Sequence, residues 1–281
     1  MNGLKDLLEK AKKEHFAIGA FNACNLETVA AIVHAAFELH SPVIIESSPG
    51  ETKFIGSRNL ACLCKNFAEE TGLPIYINLD HCRSMEDAYA AMDDGYDLIH
   101  FDGSRLPLEE NLRIVKELVT EAHDREILIE GEIDYIEGSS EKHDEGLPVI
   151  KTTDVESAKK FVAETGVDIL AVSIGNIHGV FTEPELLNFD LLRELSSQLP
   201  CFLSLHGGSG IETDQLKQGI ENGIVKVNIN TELRIAYRET LENVLRGNPD
   251  EYAMYKLLPP IIEEVARVVS EKIKVFNNVV K

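Results

Sequence analysis

Residues 75–104 read IYINLDHCRSMEDAYAAMDDGYDLIHFDGS. An apolar run, IYINLDH (75–81), is followed by a helical pattern over 84–94 and then by a second apolar run, LIHFDGS (98–104). Both runs are short and mostly continuous, as strands buried on both faces are. The first ends on Asp80-His81 and the second reaches Asp102. This strand–helix–strand unit repeats along the chain. Upstream, FAIGAFN (16–22) precedes a helix over 26–40, and VIIESS (43–48) precedes one near 58–71. Downstream, LIHFDGS leads to a helix over 107–123, EILIEGEI (126–133) through a polar loop to 154–165, and ILAVSIG (169–175) to 189–197. CFLSLHG (201–207) precedes 212–221, and IVKVNIN (224–230) precedes a helix from 231 to about 246.

Eight such units predict an α/β fold, a single (β/α)8 TIM barrel spanning 1–281, with a doubly wound open sheet as the alternative. Punctuation agrees: Thr71-Gly72-Leu73-Pro74 and Thr165-Gly166 stop helices ahead of strands. After Pro259-Pro260 one more amphipathic helix is expected, for packing or subunit contacts. The polar stretch 134–152 reads as a long loop, either a functional lid or disordered.

Composition narrows the function classes. Of 281 residues, 44% are hydrophobic and 27% charged, which is globular. Lys+Arg is 27 against 48 for Asp+Glu, a net charge of -21, which argues against nucleic acid and anionic membranes as partners. No apolar run approaches the roughly 18 residues of a membrane span. The segment MNGLKDLLEKAKKEH reads as an amphipathic helix and lacks the apolar centre of a signal peptide. Five cysteines, with Cys62 and Cys64 spaced C-x-C, predict free thiols in a reducing cytoplasm.

In a barrel, catalytic groups belong at the carboxyl ends of strands. Asp80, His81, Asp102, Glu130, Glu132, His206, Asn228 and Asn230 fall there, and His178 lies just past the sixth run. A single strand-end histidine reads as a hydrogen-bonding residue. His81, His178 and His206 on one rim, with carboxylates beside them, read as a site for Zn²⁺ that keeps one position open. The other six histidines (His15, His34, His40, His100, His123 and His143) read as surface or core residues without a part in chemistry. The H-x-H on the first strand expected of a barrel metallohydrolase is absent.

Gly207-Gly208-Ser209-Gly210 follows the seventh run, and Asn228-Ile229-Asn230-Thr231 closes the eighth and opens a helix. Backbone N–H groups of such a turn and helix start make a concave anion site, suited to phosphate. A metal beside a phosphate cradle suits a phosphorylated ketose. Asp80 then either moves the C4-hydroxyl proton or orients an imidazole.

From AFNACN (20–25) onward, the segments LDHC (79–82), FDGS (101–104), EGEI (130–133), TTDVESAKKFVAETGVDILAVSIGNIHG (152–179), LHGGSG (205–210) and KVNINTELRIAY (226–237) resemble the class II, metal-dependent ketose-bisphosphate aldolases (fructose-bisphosphate and tagatose-bisphosphate aldolases). That resemblance implies His81, His178 and His206 as zinc ligands, Asp80 as catalytic acid/base, and Glu132 and Asp102 at a second divalent position. It implies that Gly179, Gly207, Gly208, Ser209, Asn228, Asn230 and Thr231 hold a ketose phosphate, with Na⁺ or K⁺ as a companion. Asn22 would approach the substrate and Arg234 a distal phosphate. Dihydroxyacetone phosphate and an aldehyde would be the products, and a homodimer or homotetramer the assembly.

Several positions depart from the family pattern. Phe181-Thr182 stand where many members carry a tyrosine–lysine pair, with Glu183 and Glu185 close by. Asn230 stands where aspartate or alanine is usual. Asp134 replaces the first glycine of the loop after the fifth strand. There, Glu141 is the candidate for moving the donor-carbon proton, with Glu137 competing. An unphosphorylated donor and a non-catalytic metal-binding barrel stay open as alternatives.

Overall fold

The computed structural model describes residues 3–143, 146–183 and 186–277. In chain order its strands are β1 (Ile18–Asn22), β2 (Val43–Ser47), β3 (Ile75–Cys82), β4 (Leu98–Asp102), β5 (Leu128–Glu132), β6 (Gly138–His143), β7 (Ile169–Ala171), β8 (His178–Phe181), β9 (Phe202–Leu205) and β10 (Ile224–Ile229). The barrel closes in the order β1-β10-β9-β7-β5-β4-β3-β2, all parallel. β6 and β8 pair with each other in a separate two-stranded sheet. Helices follow every barrel strand, so the expected (β/α)8 barrel is the fold, and the open sheet is not.

Successive strand residues face opposite ways, so residues two apart share a face. On the inner face this stacks layers. At the amino-terminal end, Ile18, Ile44, Tyr76, Leu98, Leu128, Ile169 and Val225 cluster with Leu4, Leu8 and Ala11 of helix Leu4–Glu14. That helix presents its apolar stripe to the barrel floor and plugs it. Leu8→Ala is expected to lower the unfolding free energy by about 2–5 kcal/mol in urea titration, the usual cost of a cavity at a buried leucine.

The next layer is polar. Glu46, Asn78, His100, Glu130, Ser204 and Lys226 are each 0% exposed. Lys226 Nζ lies 3.0 Å from Glu130 and 3.6 Å from Glu46, and donates to Asn228 Oδ1 at 2.7 Å. Asn78 and Asn228 donate to Glu46 at 3.0 and 3.1 Å. The charges are buried but paired, as they must be to avoid a large desolvation cost.

The outward faces of the strands pack on the helices in a continuous apolar shell. Helix Pro259–Asn277 joins that shell between helices Leu26–Glu38 and Thr231–Gly247, burying Ile261, Val265, Val269, Ile273 and Phe276. The expected extra helix therefore packs within the chain. Among the described residues no helix is long and apolar enough to cross a membrane.

Several elements differ from the sequence reading: strands β6 and β8 and the short helices Pro49–Ile55 and Met254–Leu257. Part of the expected loop 134–152 is strand β6, with Gly138 opposite His178 and His143 opposite Phe181. A short helix, Pro49–Ile55, also starts at Ser48, whose side chain and that of Glu51 close a capping box with Pro49 at the first turn.

Candidate active site

The carboxyl ends of the barrel strands and the β6–β8 sheet enclose a cavity of about 230 Å³. Asp80, the last inward residue but one on β3, is 4% exposed. It accepts from Asn22 Nδ2 at 3.2 Å and from Asn228 Nδ2 at 3.3 Å. Burial pushes its pKa up, but His81, His100 and His206 outweigh that and hold the carboxyl well below its ordinary value. It is therefore a carboxylate at neutral pH, able to take a proton.

His81 adopts a left-handed backbone, φ 50°. This turns its ring across the barrel mouth, where Nε2 stands 3.1 Å from His206 Nδ1. His206 gives its other nitrogen to Glu130, Nε2 to Oε1 at 2.8 Å, and Ser204 Oγ donates to the same oxygen at 2.5 Å. The carboxylate fixes the His206 tautomer and leaves the Nδ1 lone pair facing His81.

His178 opens β8 rather than ending a barrel strand. Its loop is tied to β9 by Asn176, whose Nδ2 donates to the His206 carbonyl at 3.0 Å. The His178 ring lies 4.9 Å from that of His81 and 6.1 Å from that of His206. Nδ1 donates to the Ile136 carbonyl at 3.2 Å, and Nε2 is buried with no hydrogen-bond partner. Burial and the neighbouring His81 push its pKa down to about 4, so the ring is neutral. His81 and His206 thus meet at one mouth, whereas His178, which comes from the small sheet, lines the same cavity but does not bring its nitrogens within 4.8 Å of both.

Ligand atoms of Asp80, His81, His100 and His206 lie within 4.8 Å of one another, as do those of His81, Asp102 and Glu132. The donor set suits a divalent cation. Two nitrogens 3.1 Å apart match neighbouring ligands of one tetrahedral ion, about 3.3 Å for bonds of about 2.0–2.1 Å. The orphaned His178 Nε2 is a third lone pair at the same mouth. Glu132 Oε2 is likewise buried and unpartnered, 3.7 Å from His81 Nδ1. Asp102 is already engaged: Oδ2 accepts from Arg83 Nε at 2.8 Å and Nη2 at 2.5 Å, and Oδ1 from Ser104 Oγ at 2.5 Å.

Of the residues implied for substrate, Asn22, Gly179, Gly207, Ser209, Asn228, Asn230, Thr231 and Arg234 line the cavity. Gly207 holds φ 65°, and a Cβ there would lie 2.0 Å from the Ile177 carbonyl, so only glycine serves. Gly208 does not line the cavity; its missing Cβ faces Val227 at 2.7 Å, so its role is close packing against β10. Arg234 does reach the mouth, but its Nη2 is paired with Glu51 at 2.6 Å.

The loop glutamates lie outside the cavity lining. Glu141 is exposed on β6 and does not line the cavity, whereas Ser139 and Ser140 do. Glu137 is also absent from the lining; its backbone carbonyl accepts from His178 N at 2.7 Å. Thr182 and Glu183 are exposed and outside the lining, and Phe181 stacks on His143. Glu185 lies outside the described residues.

Sequence reasoning missed His100 and Arg83. His100 is fully buried, its ring 4.6 Å from that of His81 and 4.5 Å from that of His206. Burial opposes charge on it, but Glu130, Asp80 and Glu132 outweigh that and raise its pKa. The signal was available: His100 sits two residues before Asp102, on the same face of one strand.

A closed parallel barrel with imidazoles and carboxylates gathered at its carboxyl-end mouth is the architecture of a barrel enzyme. The family described as fructose-bisphosphate aldolase class-II matches residues 2–281. The chain is 39% identical over 285 residues to the fructose-bisphosphate aldolase of Streptococcus pneumoniae serotype 4, covering 96% of each. It is 35% identical over 274 residues to the sulfofructosephosphate aldolase of Alkalicoccus urumqiensis, covering 98% of this chain and 96% of that one. The crystal structure of the YdjI aldolase from Escherichia coli K12 superposes with a TM-score of 0.85 at 32% identity, covering 98% and 96% of the two chains. The chain belongs to the class II fructose-bisphosphate aldolase family. It is an aldolase, a lyase that cleaves a carbon–carbon bond.

Proposed function

We propose that this aldolase is zinc-dependent and reversibly cleaves a ketose phosphate, of the fructose or tagatose 1,6-bisphosphate type, into dihydroxyacetone phosphate and an aldehyde. The observation that carries this reading is the 3.1 Å pair of His81 and His206 nitrogens, with ligand atoms of Asp80 within 4.8 Å and the buried, unpartnered Nε2 of His178 on the same cavity. These three residues would hold the ion. When bound, it supplies positive charge beside the oxygens that turn negative as the C3–C4 bond breaks.

The chain's own groups do the rest. Asp80 accepts the C4-hydroxyl proton during cleavage and returns it to the aldehyde during synthesis. Asn22 and Asn228 each give Asp80 an N–H and keep its carboxylate turned into the cavity. Gly207, Ser209, Asn230 and Thr231 border the start of helix Thr231–Gly247, whose positive dipole end favours a phosphate. The sheet of β6 and β8 borders the mouth through Gly138, Ser139, Ser140, His178 and Gly179.

Chelator-treated enzyme is expected to lose cleavage and regain it with Zn²⁺ or Co²⁺, read by a retro-aldol assay coupled to a dehydrogenase. Full activity in the stripped, metal-free enzyme would refute the zinc reading.

One observation favours a second reading, a donor that carries no phosphate. Among the described residues, the cations lining the cavity are Arg83 and Arg234, and each is already paired with a carboxylate. The two readings predict opposite orders of kcat/KM for fructose 1,6-bisphosphate and for the same sugar lacking the donor phosphate.

A further inference from the structure

His81 pays for its orientation with a left-handed backbone at φ 50°, a conformation that costs a non-glycine residue of order 1–3 kcal/mol unless its surroundings hold it. The group that holds it is His100. Nδ1 of His100 lies 3.1 Å from the backbone nitrogen of His81 and accepts its N–H. No strand partner serves that amide, because the β3–β4 register shifts between Leu79 and Cys82. A proton on Nδ1 would set two donors face to face. Accepting the His81 N–H therefore requires a bare Nδ1, the same nitrogen that lies 3.4 Å from Asp80 Oδ1. Nε2 of the same ring lies 3.3 Å from Glu132 Oε2, and no well-aligned hydrogen bond closes between them.

We propose that His100 is a positioning residue for the metal centre: by accepting the His81 N–H it locks the strained backbone that turns His81 Nε2 toward His206 Nδ1. It belongs to the polar layer beneath the mouth and is 0% exposed, so bulk solvent does not reach that bond. The His100–Glu132 contact is secondary. The inference rests on reading the site as a metal centre, and its test separates the two.

Asparagine and glutamine divide the two ends of the ring. The side-chain oxygen of His100→Asn falls near the place of Nδ1 and can still accept the His81 N–H. The amide of His100→Gln falls near the place of Nε2 and cannot. Zn²⁺ affinity is measured by competition with a chelator of known Kd, and exchange of the His81 amide is followed in metal-free protein. His100→Asn is expected to hold Zn²⁺ within about threefold of wild type, and His100→Gln to weaken it by about 10- to 100-fold, the usual effect of losing a partner that orients a ligand. The His81 amide is expected to be protected in wild type and His100→Asn and to exchange fast in His100→Gln. If both variants bind Zn²⁺ like wild type, or both lose it equally with the amide equally protected, the role of His100 falls. If wild type takes up no Zn²⁺ while its amide is protected as expected, the metal-centre reading falls and the backbone lock stands. If His100→Gln does not fold, the comparison of wild type with His100→Asn decides, and a loss above about tenfold in His100→Asn overturns the proposal.

Discussion

Asp80→Ala is expected to lower turnover by at least about 10²-fold while the variant retains its metal, because general acid–base catalysis is worth about 10²–10⁴-fold. Three features single Asp80 out. It is 4% exposed, it is held as a carboxylate by the imidazoles around it, and it accepts from Asn22 and Asn228 without donating to either. Its nearest imidazole nitrogens are His100 Nδ1 at 3.4 Å and His81 Nε2 at 3.9 Å, and it lines the cavity. Steady-state cleavage rates with elemental analysis of the same samples check the result. Turnover near normal would remove Asp80 from the proton transfer, and loss of metal with turnover would make it an orienting residue instead.

Lys226→Met is expected to lower the unfolding free energy by about 3–5 kcal/mol, the cost of breaking a buried ion pair from one side. Lys226 is fully buried between Glu130 and Glu46. Burial, reinforced by Asp80, pushes Glu46 up to about 8, so it is protonated at neutral pH and the lysine answers chiefly to Glu130. Burial also works against Glu130, but Lys226 and His100 outweigh it and keep Glu130 ionised. Without the lysine, Glu130 is a buried charge short of its main partner. The double variant Lys226→Met/Glu130→Gln should recover much of the loss in urea titration at pH 7. A single variant as stable as wild type would mean that the polar layer contributes little to folding.

The barrel was legible because each strand is buried on both faces and each helix carries its own stop signal. Strand positions follow the quoted runs closely, and Asp80, His81 and His206 fall at strand ends as read. What the sequence hid depends on partners far along the chain. β6 forms because Gly138 meets His178, and nothing local in EGSSEKH announces that pairing. Arg83 matters through Asp102, nineteen residues away. His100 lies inside a strand and not at its end, although alternation along LIHFD turns it to the same side as Asp102. Gly208 and Glu141 show the converse: a motif identifies a segment, whereas the pitch of the backbone decides which members face the cavity.

The placement of His178 has a consequence for how the enzyme would load and lose its ion. Two of the three imidazoles are built into the wall of a closed cylinder, and the third hangs from a two-stranded awning above it. A pair of strands has far less cooperative support than an eight-stranded wall, so it opens at lower free energy. On the proposed zinc reading, lifting the awning would withdraw one donor and leave two, and ion exchange would be a local event that does not require the cylinder to breathe.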